Sequence, residues 1–178
     1  PAYANGILCV KYLILGAAGS IGSELYRQVV KEHAVFGFDI DEARMYSLHE
    51  EYFTKGFDVD YRIGDIRNKE TVDEVILEFK PDVIFHVAAY KNVVPMQKFP
   101  REAVETNILG TLNIFECAKK HKVPKLVYIS SDKASQCENV MGWTKKGGEL
   151  FAKEFGFTSV RFGNVMASRG SVLETWKN

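Results

Sequence analysis

The chain has 178 residues, 46% of them hydrophobic, which is enough for one domain with its own core over residues 1–178. Lys plus Arg and Asp plus Glu number 23 each, and this balance argues against a surface for nucleic acid or for an anionic membrane. No apolar run approaches the roughly 18 residues of a membrane-spanning helix, so this segment is not expected to insert into a membrane.

The start of the chain and its cysteines bear on the cellular compartment. Residues 1–9 lack the zones of a signal peptide and are expected to be a linker or a cut end, so an upstream membrane region in a longer parent protein is compatible with the sequence. The cysteines have neither CxxC nor metal-ligand spacing and are expected to be reduced thiols of a cytoplasmic protein; they are Cys9, Cys117 and Cys137. The four histidines also lack metal-ligand spacing, and no metal site is predicted.

Short runs rich in β-branched residues alternate with longer runs of helical period along the chain. The predicted strands are 10–16, 34–40, 59–66, 81–89, 125–131 and 158–165. The predicted helices are 20–32, 41–53, 69–80, 101–121 and 139–155. Because strands that are apolar nearly throughout are buried on both faces, this alternation predicts an α/β fold with a doubly wound parallel sheet.

A glycine motif joins the first predicted strand to the first predicted helix. Gly16, Gly19 and Gly22 have GxxGxxG spacing, with Ser20 and Ile21 between the last two. Glycines let the backbone turn tightly and approach a pyrophosphate, which the N-terminus of the helix then binds. A tight turn without a ligand is the alternative, but the order of strand, motif and helix is that of a dinucleotide-binding Rossmann fold. All five residues are predicted cofactor contacts.

The end of the second predicted strand carries a carboxylate. Asp39 follows the glycine motif at close to the ~20 residues expected for a carboxylate on the adenosine ribose hydroxyls. Such a carboxylate repels the 2′-phosphate of NADP, although nearby Arg44 can offset its charge, so NAD and NADP both stay open. Asp39 or Asp41 could alternatively cap the next helix.

The third and fourth predicted strands also end in residues that suit a ligand. Asp65 and Ile66 end the third strand, where an adenine amine can be met. Ala88 and Ala89 end the fourth strand, and their small side chains leave a ligand room. Each signal is weak by itself, and together they extend the predicted cofactor site.

Polar residues with acid–base chemistry close the fifth predicted strand. Ser130, Ser131, Asp132 and Lys133 fall at the carboxyl edge of the sheet, where open α/β sheets bind ligands. A hydroxyl, an acid and a lysine can supply a hydrogen-bond donor, a general acid and a general base. A polar surface loop with an ion pair is the alternative reading of this run.

Two helical positions complete the candidate site. Lys145 lies four residues after Met141, on the same helix face, where an amine can bind the nicotinamide ribose. A solvated lysine and a core methionine are the alternatives. Asn107 lies within a predicted helix that asparagine does not favour, which indicates a buried hydrogen-bonding position near the cofactor; a surface asparagine is the alternative.

Seven runs, in order over nearly the whole chain, resemble the extended short-chain dehydrogenase/reductase superfamily. Within it the chain is similar to the CapD-like UDP-N-acetylglucosamine 4,6-dehydratases of polysaccharide biosynthesis, in the branch with methionine in place of tyrosine. The glycine motif is common to the superfamily, whereas three segments within the last three runs, SDKA, NVMGWTK and RFGNVMASRGSV, are specific to this group. The runs are GAAGSIGSEL, GDIRN, VIFHVAAYKNVVPM, EAVETNILGT, ISSDKA, NVMGWTKK and VRFGNVMASRGSV.

The resemblance implies a reaction on a UDP-sugar with a tightly bound, recycled NAD or NADP. C4 of the sugar is oxidised, water is eliminated across C5 and C6, and hydride returns to C6 to give a 4-keto-6-deoxy sugar. By position, Asp132 is the implied acid for the C6 oxygen and Lys133 the implied base at C5. Ser131 is the implied donor to O4, and Lys145 is implied to hold the cofactor and help deprotonate the C4 hydroxyl. Met141, where the inverting branch has tyrosine, implies retention at C5.

The resemblance also implies substrate contacts and further architecture. Lys91, Asn164 and Arg169 are the implied substrate-binding residues. A homo-oligomer is possible. Family members carry a C-terminal portion that covers the nucleotide sugar, and that portion is expected to be missing here.

The sequence departs from the family pattern at several positions. Leu15 replaces a usual threonine, Asn92 a common histidine, and residues 135–139 an Asn-Pro-Thr stretch. Trp143 replaces a small residue, which bears on the shape of the substrate pocket.

Two other functions are compatible with the same fold. A UDP-sugar 4-epimerase shares the fold and cofactor, but it normally retains the tyrosine and needs no dehydration acid. A non-catalytic dinucleotide-binding module would explain the loss of tyrosine, but such a module has no need for Asp132, Lys133 and Lys145.

Overall fold

The structure is a computed structural model that describes residues 3–4 and 7–165, with side chains from residue 9 onward. Two short strands, β1 (Tyr3–Ala4) and β2 (Ile7–Leu8), pair antiparallel within the region where the sequence predicted a linker or a cut end. In the described part of the chain, no helix has the length and apolarity needed to cross a bilayer.

Six parallel strands form the main sheet, in the spatial order β5-β4-β3-β6-β7-β8. From β3 at the centre, the chain adds β4 and β5 on one side, crosses back, and adds β6, β7 and β8 on the other side. This reversal leaves a crevice at the carboxyl edge between β3 and β6. The predicted doubly wound parallel sheet is confirmed. The strands are β3 (Lys11–Leu15), β4 (Ala34–Asp39), β5 (Val59–Ile63), β6 (Val83–His86), β7 (Lys125–Ser131) and β8 (Thr158–Phe162).

Helices cover both faces of this sheet, and three of them begin at a side-chain cap. Asp41, Asn68 and Asn139 each accept a hydrogen bond from a backbone N–H three residues later, which satisfies a donor that the helix itself leaves open. The helices are α1 (Ser20–Val29), α2 (Glu42–Phe53), α3 (Lys69–Phe79), α4 (Val93–Lys98), α5 (Pro100–Val104), α6 (Thr111–Lys120) and α7 (Val140–Phe155).

The core consists of two apolar layers, one on each face of the sheet. Successive strand residues point to opposite faces, so Leu13 and Leu15 pack on one side while Ile14 packs on the other. The first layer receives side chains of α3, α6 and α7, and the second those of α1 and α2. Helices on both faces explain why the strands are apolar nearly throughout.

The structure differs from the predicted elements mainly between β6 and β7. The predicted helix 101–121 is instead α5, a π-helical turn (Glu105–Gly110) and α6 in direct succession. Helix α4 was not predicted, because Pro95 within its first turn resembles a loop signal although proline is tolerated there. A short 3-10 turn (Asp132–Ala134) follows β7.

Candidate active site

A cavity of about 970 Å³ lies along the carboxyl edge of the sheet, at the crevice between β3 and β6. Its wall runs from the ends of β4 and β5, past the glycine turn after β3, to the ends of β6 and β7 and the start of α7. Several strands end earlier than the sequence predicted, and the residues that were assigned to their ends line the cavity instead. This is the place where open α/β sheets bind ligands.

The glycine turn is shaped so that side chains cannot occupy it. Gly16 has a φ of 89°, in the left-handed region that favours glycine. A Cβ on Gly16 would lie 2.5 Å from the backbone nitrogen of Ala88, and one on Gly22 would clash with the carbonyl oxygen of Gly16. Gly19 and Ser20 line the cavity where α1 begins, and the first turn of α1 carries no acidic residue. A helix N-terminus of this kind attracts an anion.

Asp39 ties the end of β4 to the glycine turn. Its carboxylate accepts hydrogen bonds from the backbone N–H of Ala18 at 2.9 Å and of Asp41 at 3.0 Å, and it lines the cavity. Asp41, not Asp39, is the cap of α2, since it accepts from the N–H of Arg44 at 3.1 Å. The guanidinium of Arg44 also pairs with Asp41 at 3.1 Å. The Asp41 carboxylate therefore partly offsets the positive charge that Arg44 could present to a ligand.

Four residues predicted as cofactor contacts line the adjoining walls, two of them after β5 and two after β6. Asp65 and Ile66 do so at one end of the cavity, and Ala88 does so next to Gly16. Burial alone would raise the pKa of Asp65, but hydrogen bonds from Arg67 outweigh burial and lower it. Ala89 also lines the cavity.

Lys145 is a buried amine at the opposite end of the cavity. Its side chain is only 6% exposed, its Nζ donates to the carbonyl oxygen of Ile129 at 2.5 Å, and it lies 4.5 Å from the centre of the Tyr128 ring. Burial lowers the pKa of Lys145 to about 7, although the charge of Glu149 acts in the opposite direction. A solvated helix lysine is therefore excluded, and near pH 7 a large share of this amine is neutral.

Met141 is both a core residue and a residue of the cavity wall, the two positions that the sequence analysis left open. It is buried against Met96 and Ala103 in a small apolar cluster, and it also lines the cavity one helical turn before Lys145. Its thioether cannot exchange a proton, so any proton transfer at this wall falls to neighbouring groups.

The polar run after β7 reaches the cavity in part. Ser131 and Lys133 line it, whereas Asp132, with a side chain 54% exposed, is not among the lining residues. The Asp132 carboxylate accepts from the Ser131 hydroxyl at 2.9 Å and from the Lys133 backbone N–H at 2.8 Å, and the Lys133 Nζ lies 3.3 Å away. Hydrogen bonds from Ser131 and then Lys133 lower the pKa of Asp132, so the carboxylate form is favoured in this arrangement.

Asn107 is fully buried, as its unfavourable helical position indicated. Its Oδ1 accepts from the backbone N–H of Tyr90 at 2.8 Å, and its Nδ2 donates to the Tyr90 carbonyl at 2.9 Å and to Thr144 Oγ1 at 3.0 Å. These bonds hold the loop after β6 against α7. Asn107 itself is not among the residues that line the cavity, and its contact with a cofactor stays a prediction.

The predicted substrate residues are placed unevenly. Lys91 and Asn164 line the cavity, whereas Arg169 lies outside the described residues. Trp143 is 64% exposed and does not line the cavity, so within the described part of the chain it does not narrow the pocket.

Sequence reasoning missed Glu149, which joins three elements beside the site. Its side chain is 9% exposed and accepts from Ser130 Oγ at 2.8 Å and from Arg161 Nε and Nη2 at 2.6 and 2.7 Å. The ion pair with Arg161 is the main reason that the pKa of Glu149 falls to about 2. Its position four residues after Lys145, on one helix face, was the available signal.

The described residues contain no group of three or more His, Cys, Asp or Glu side chains that could hold a metal ion. Cys9, Cys117 and Cys137 are free thiols. His86 is fully buried in β6, with its Nε2 2.9 Å from Thr111 Oγ1.

Known proteins resemble the chain over almost its whole length. Capsular polysaccharide biosynthesis protein CapD from Staphylococcus aureus is 43% identical, covering 93% of this chain and 30% of that protein. UDP-glucose 4-epimerase from Rickettsia canadensis (strain McKiel) is 35% identical, covering 93% of this chain and 52% of that protein. The chain thus spans about a third to a half of these relatives.

A solved structure supports the same relationship. Pen from Bacillus thuringiensis, determined by X-ray methods, superposes with a TM-score of 0.89 at 39% identity, covering 95% of this chain and 54% of that one. A family model described as polysaccharide biosynthesis protein matches residues 12–178. With this match and the 43% identity to CapD, the chain belongs to the polysaccharide biosynthesis protein family.

Proposed function

We propose that this chain is the cofactor-binding and proton-transfer part of a nucleotide-sugar 4,6-dehydratase in polysaccharide or glycan biosynthesis. Its substrate is UDP-N-acetylglucosamine or a related UDP-hexose. The observation that carries the proposal is that the glycine turn, Lys133, Met141 and Lys145 all line the same cavity. A dinucleotide and a sugar bound in this cavity would contact side chains that can transfer protons. Met141 would also border them, but its thioether cannot transfer a proton.

The residues present fit a bound dinucleotide. The glycine turn has no room for a Cβ at Gly16 or Gly22, so a ligand can come close to its backbone, and α1 begins at the cavity, where its N-terminus would bind a pyrophosphate. Asp39 would hold the adenosine ribose, and since Arg44 is paired with Asp41, we favour NAD over NADP. When bound, the cofactor supplies hydride chemistry, taking a hydride from the sugar and giving it back.

The proton steps are assigned to the chain's own side chains. Lys145, with a pKa of about 7, can take the proton of the C4 hydroxyl while Ser131 Oγ hydrogen-bonds O4. A 4-keto group acidifies the C5 proton, which Lys133 Nζ would remove, and the C6 oxygen would leave as water with a proton from Asp132, so that a C5–C6 double bond forms. When hydride returns to C6, Lys133 Nζ would give its proton back to C5. For Asp132 to carry that proton, the sugar has to replace the Ser131 and Lys133 donors that now favour its charged form.

The second candidate is a UDP-sugar 4-epimerase, and the 35% identity to the Rickettsia canadensis enzyme favours it. An epimerase needs a group that exchanges the O4 proton, but it needs no acid for a C6 oxygen. Met141 and the Asp132–Lys133 pair argue against it.

A product assay separates these possibilities. The natural protein that contains this chain is incubated with UDP-N-acetylglucosamine, and the products are analysed by NMR and mass spectrometry. We expect a 4-keto-6-deoxy product lighter by one water. A C4 epimer of unchanged mass would support the epimerase, and bound cofactor without any product would support a non-catalytic module.

A further inference from the structure

The loop between β5 and α3 forms the end wall of the cavity on the side away from Lys145. Asp65, Ile66 and Arg67 in this loop line it. Strand β5 lies beyond β4, so a dinucleotide with its pyrophosphate on the glycine turn and its ribose at Asp39 places its adenine against this loop. The inference below rests on that dinucleotide-binding part of the proposed function.

Arg67 holds the Asp65 carboxylate by both backbone and side chain. The Arg67 backbone N–H donates to Asp65 Oδ1 at 2.9 Å, and its Nε donates to Oδ2 at 2.7 Å. Its Nη2 lies 2.6 Å from the same Oδ2. A carboxylate offers about four acceptor positions, so this grip fixes the direction of the group and still leaves Oδ1 able to accept from a ligand.

Arg67 is itself held from the other side of the loop. Its Nη1 lies 3.3 Å from Glu102 Oε2 and 3.7 Å from Glu105 Oε2, on α5 and the π-helical turn. The Nδ2 of Asn113 donates to the carbonyl oxygens of Ile66 and Arg67, both at 3.1 Å. The guanidinium and the loop backbone are therefore both anchored to the helical layer.

We propose that Arg67 is a positioning residue for adenine recognition, acting through Asp65. The fork of the guanidinium aims the carboxylate and keeps it ionised in a half-buried wall, where it accepts a hydrogen bond from the 6-amino group of adenine. A base with a carbonyl at position 6 would place an oxygen against that carboxylate and be disfavoured.

The test compares the affinities of the purified chain for NAD and for nicotinamide hypoxanthine dinucleotide, which has an oxygen in place of the 6-amino group. We expect the wild type to prefer NAD, and Arg67→Gln to reduce that preference roughly tenfold, the scale of one charge-assisted hydrogen bond. Arg67→Lys, which keeps the charge but not the fork, should give an intermediate preference. If Arg67→Gln does not fold, the Lys variant carries the test.

The matched control is Arg62→Gln. Arg62 is also on this side of the sheet, is 36% exposed like Arg67, and pairs with Glu74 at 2.6 Å, but it does not line the cavity. It should leave the preference unchanged. If the Arg67 variants weaken the binding of both dinucleotides equally, or if the wild type prefers neither, the role of Arg67 is overturned and the proposed cofactor site is not. If the wild type binds neither dinucleotide, both the role of Arg67 and the proposed cofactor site are overturned.

Discussion

At the scale of single residues, burial changes the chemistry of Lys145 more than that of its neighbours along α7. Lys146, one position on, is half-buried and pairs with Glu149 at 3.3 Å, as a surface lysine does. Lys145 instead packs against β7, where its Nζ donates to the Ile129 carbonyl and lies over the Tyr128 ring. The desolvated ammonium costs folding free energy, and that cost makes an amine available near neutral pH.

Replacing Lys145 by Met should show this cost as a pH dependence of stability. The lysine pKa is about 7 in the folded chain and near its ordinary value of 10.5 after unfolding. Between these values the unfolded chain binds the extra proton, so the free energy of unfolding of the wild type rises from about pH 7 towards pH 10. The variant lacks this rise and should be more stable by about 2–4 kcal/mol at pH 7. Urea unfolding at several pH values measures both curves, and parallel curves would contradict the assignment.

The acid–lysine pair after β7 gives a second prediction at this scale. Asp132→Asn or Lys133→Ala should reduce dehydration by roughly a hundredfold or more, the scale of a lost acid or base, while NAD stays bound. Turnover of UDP-N-acetylglucosamine and cofactor content are measured on the same samples. Lys153→Ala, which alters an exposed lysine near the end of α7, is the control and should be unaffected. Wild-type turnover in either test variant would remove that residue from the mechanism.

At the scale of elements, the unit of strand β3, glycine turn and helix α1 depends on backbone contact more than on side chains. The N–H groups of Gly16 and Ala17 both donate to the carbonyl oxygen of Phe38, at 2.8 and 3.2 Å. Asp39 adds a bond to Ala18. Strand β4 thus holds the turn that borders the cavity, and a Cβ at Gly16 or Gly22 would clash with the backbone of Ala88 or of the turn itself.

Gly22→Ala tests this arrangement. The added Cβ would clash with the Gly16 carbonyl, so the turn or the start of α1 has to shift. We expect the free energy of unfolding to fall by about 1–3 kcal/mol and NAD affinity to fall more than tenfold. Gly163→Ala is the control for stability, since a Cβ there meets nothing within 4 Å. Thermal unfolding and dinucleotide titration decide the outcome; unchanged NAD affinity in Gly22→Ala would contradict the phosphate site.

At the scale of the whole molecule, the order of the strands brings the residues of the predicted cofactor site together along one edge of the sheet. Within the described residues, the cavity wall comes from the ends of strands β3 to β8 and from the start of α7. The chain, however, spans only 54% of the related Pen structure. We therefore treat cofactor binding and substrate turnover as separable properties.

The 178-residue chain by itself should bind NAD but turn over UDP-N-acetylglucosamine at least roughly a hundredfold more slowly than a fusion that adds the C-terminal part of CapD to it. Positioning of the reacting sugar contributes factors of this size, and the resemblance implies that a further portion covers the sugar. Equilibrium dialysis with NAD and a turnover assay on both proteins provide the comparison. Equal turnover would show that this chain positions the sugar unaided.

Local sequence patterns alone predicted the alternation of strands and helices, the glycine turn and the residues at the strand ends. These features follow from local periodicity and from backbone geometry that glycine alone tolerates. Gly16, Asp39 and Lys145 all line the cavity, and their contact with a cofactor stays a prediction. The resemblance added reaction roles to Asp132 and Lys133, which stay predictions.

Which of these side chains come into contact depends on the packing of the folded chain. This packing assigned the cap to Asp41 instead of Asp39, buried Lys145, left Asp132 outside the cavity lining, and joined Glu149 to Arg161 and Arg67 to Glu102. Each of these outcomes depends on contacts between segments distant along the chain or on desolvation by the packed core. Local sequence patterns carry no record of either, so burial, pKa shifts and ion pairs emerge only when the sheet and its helices are assembled.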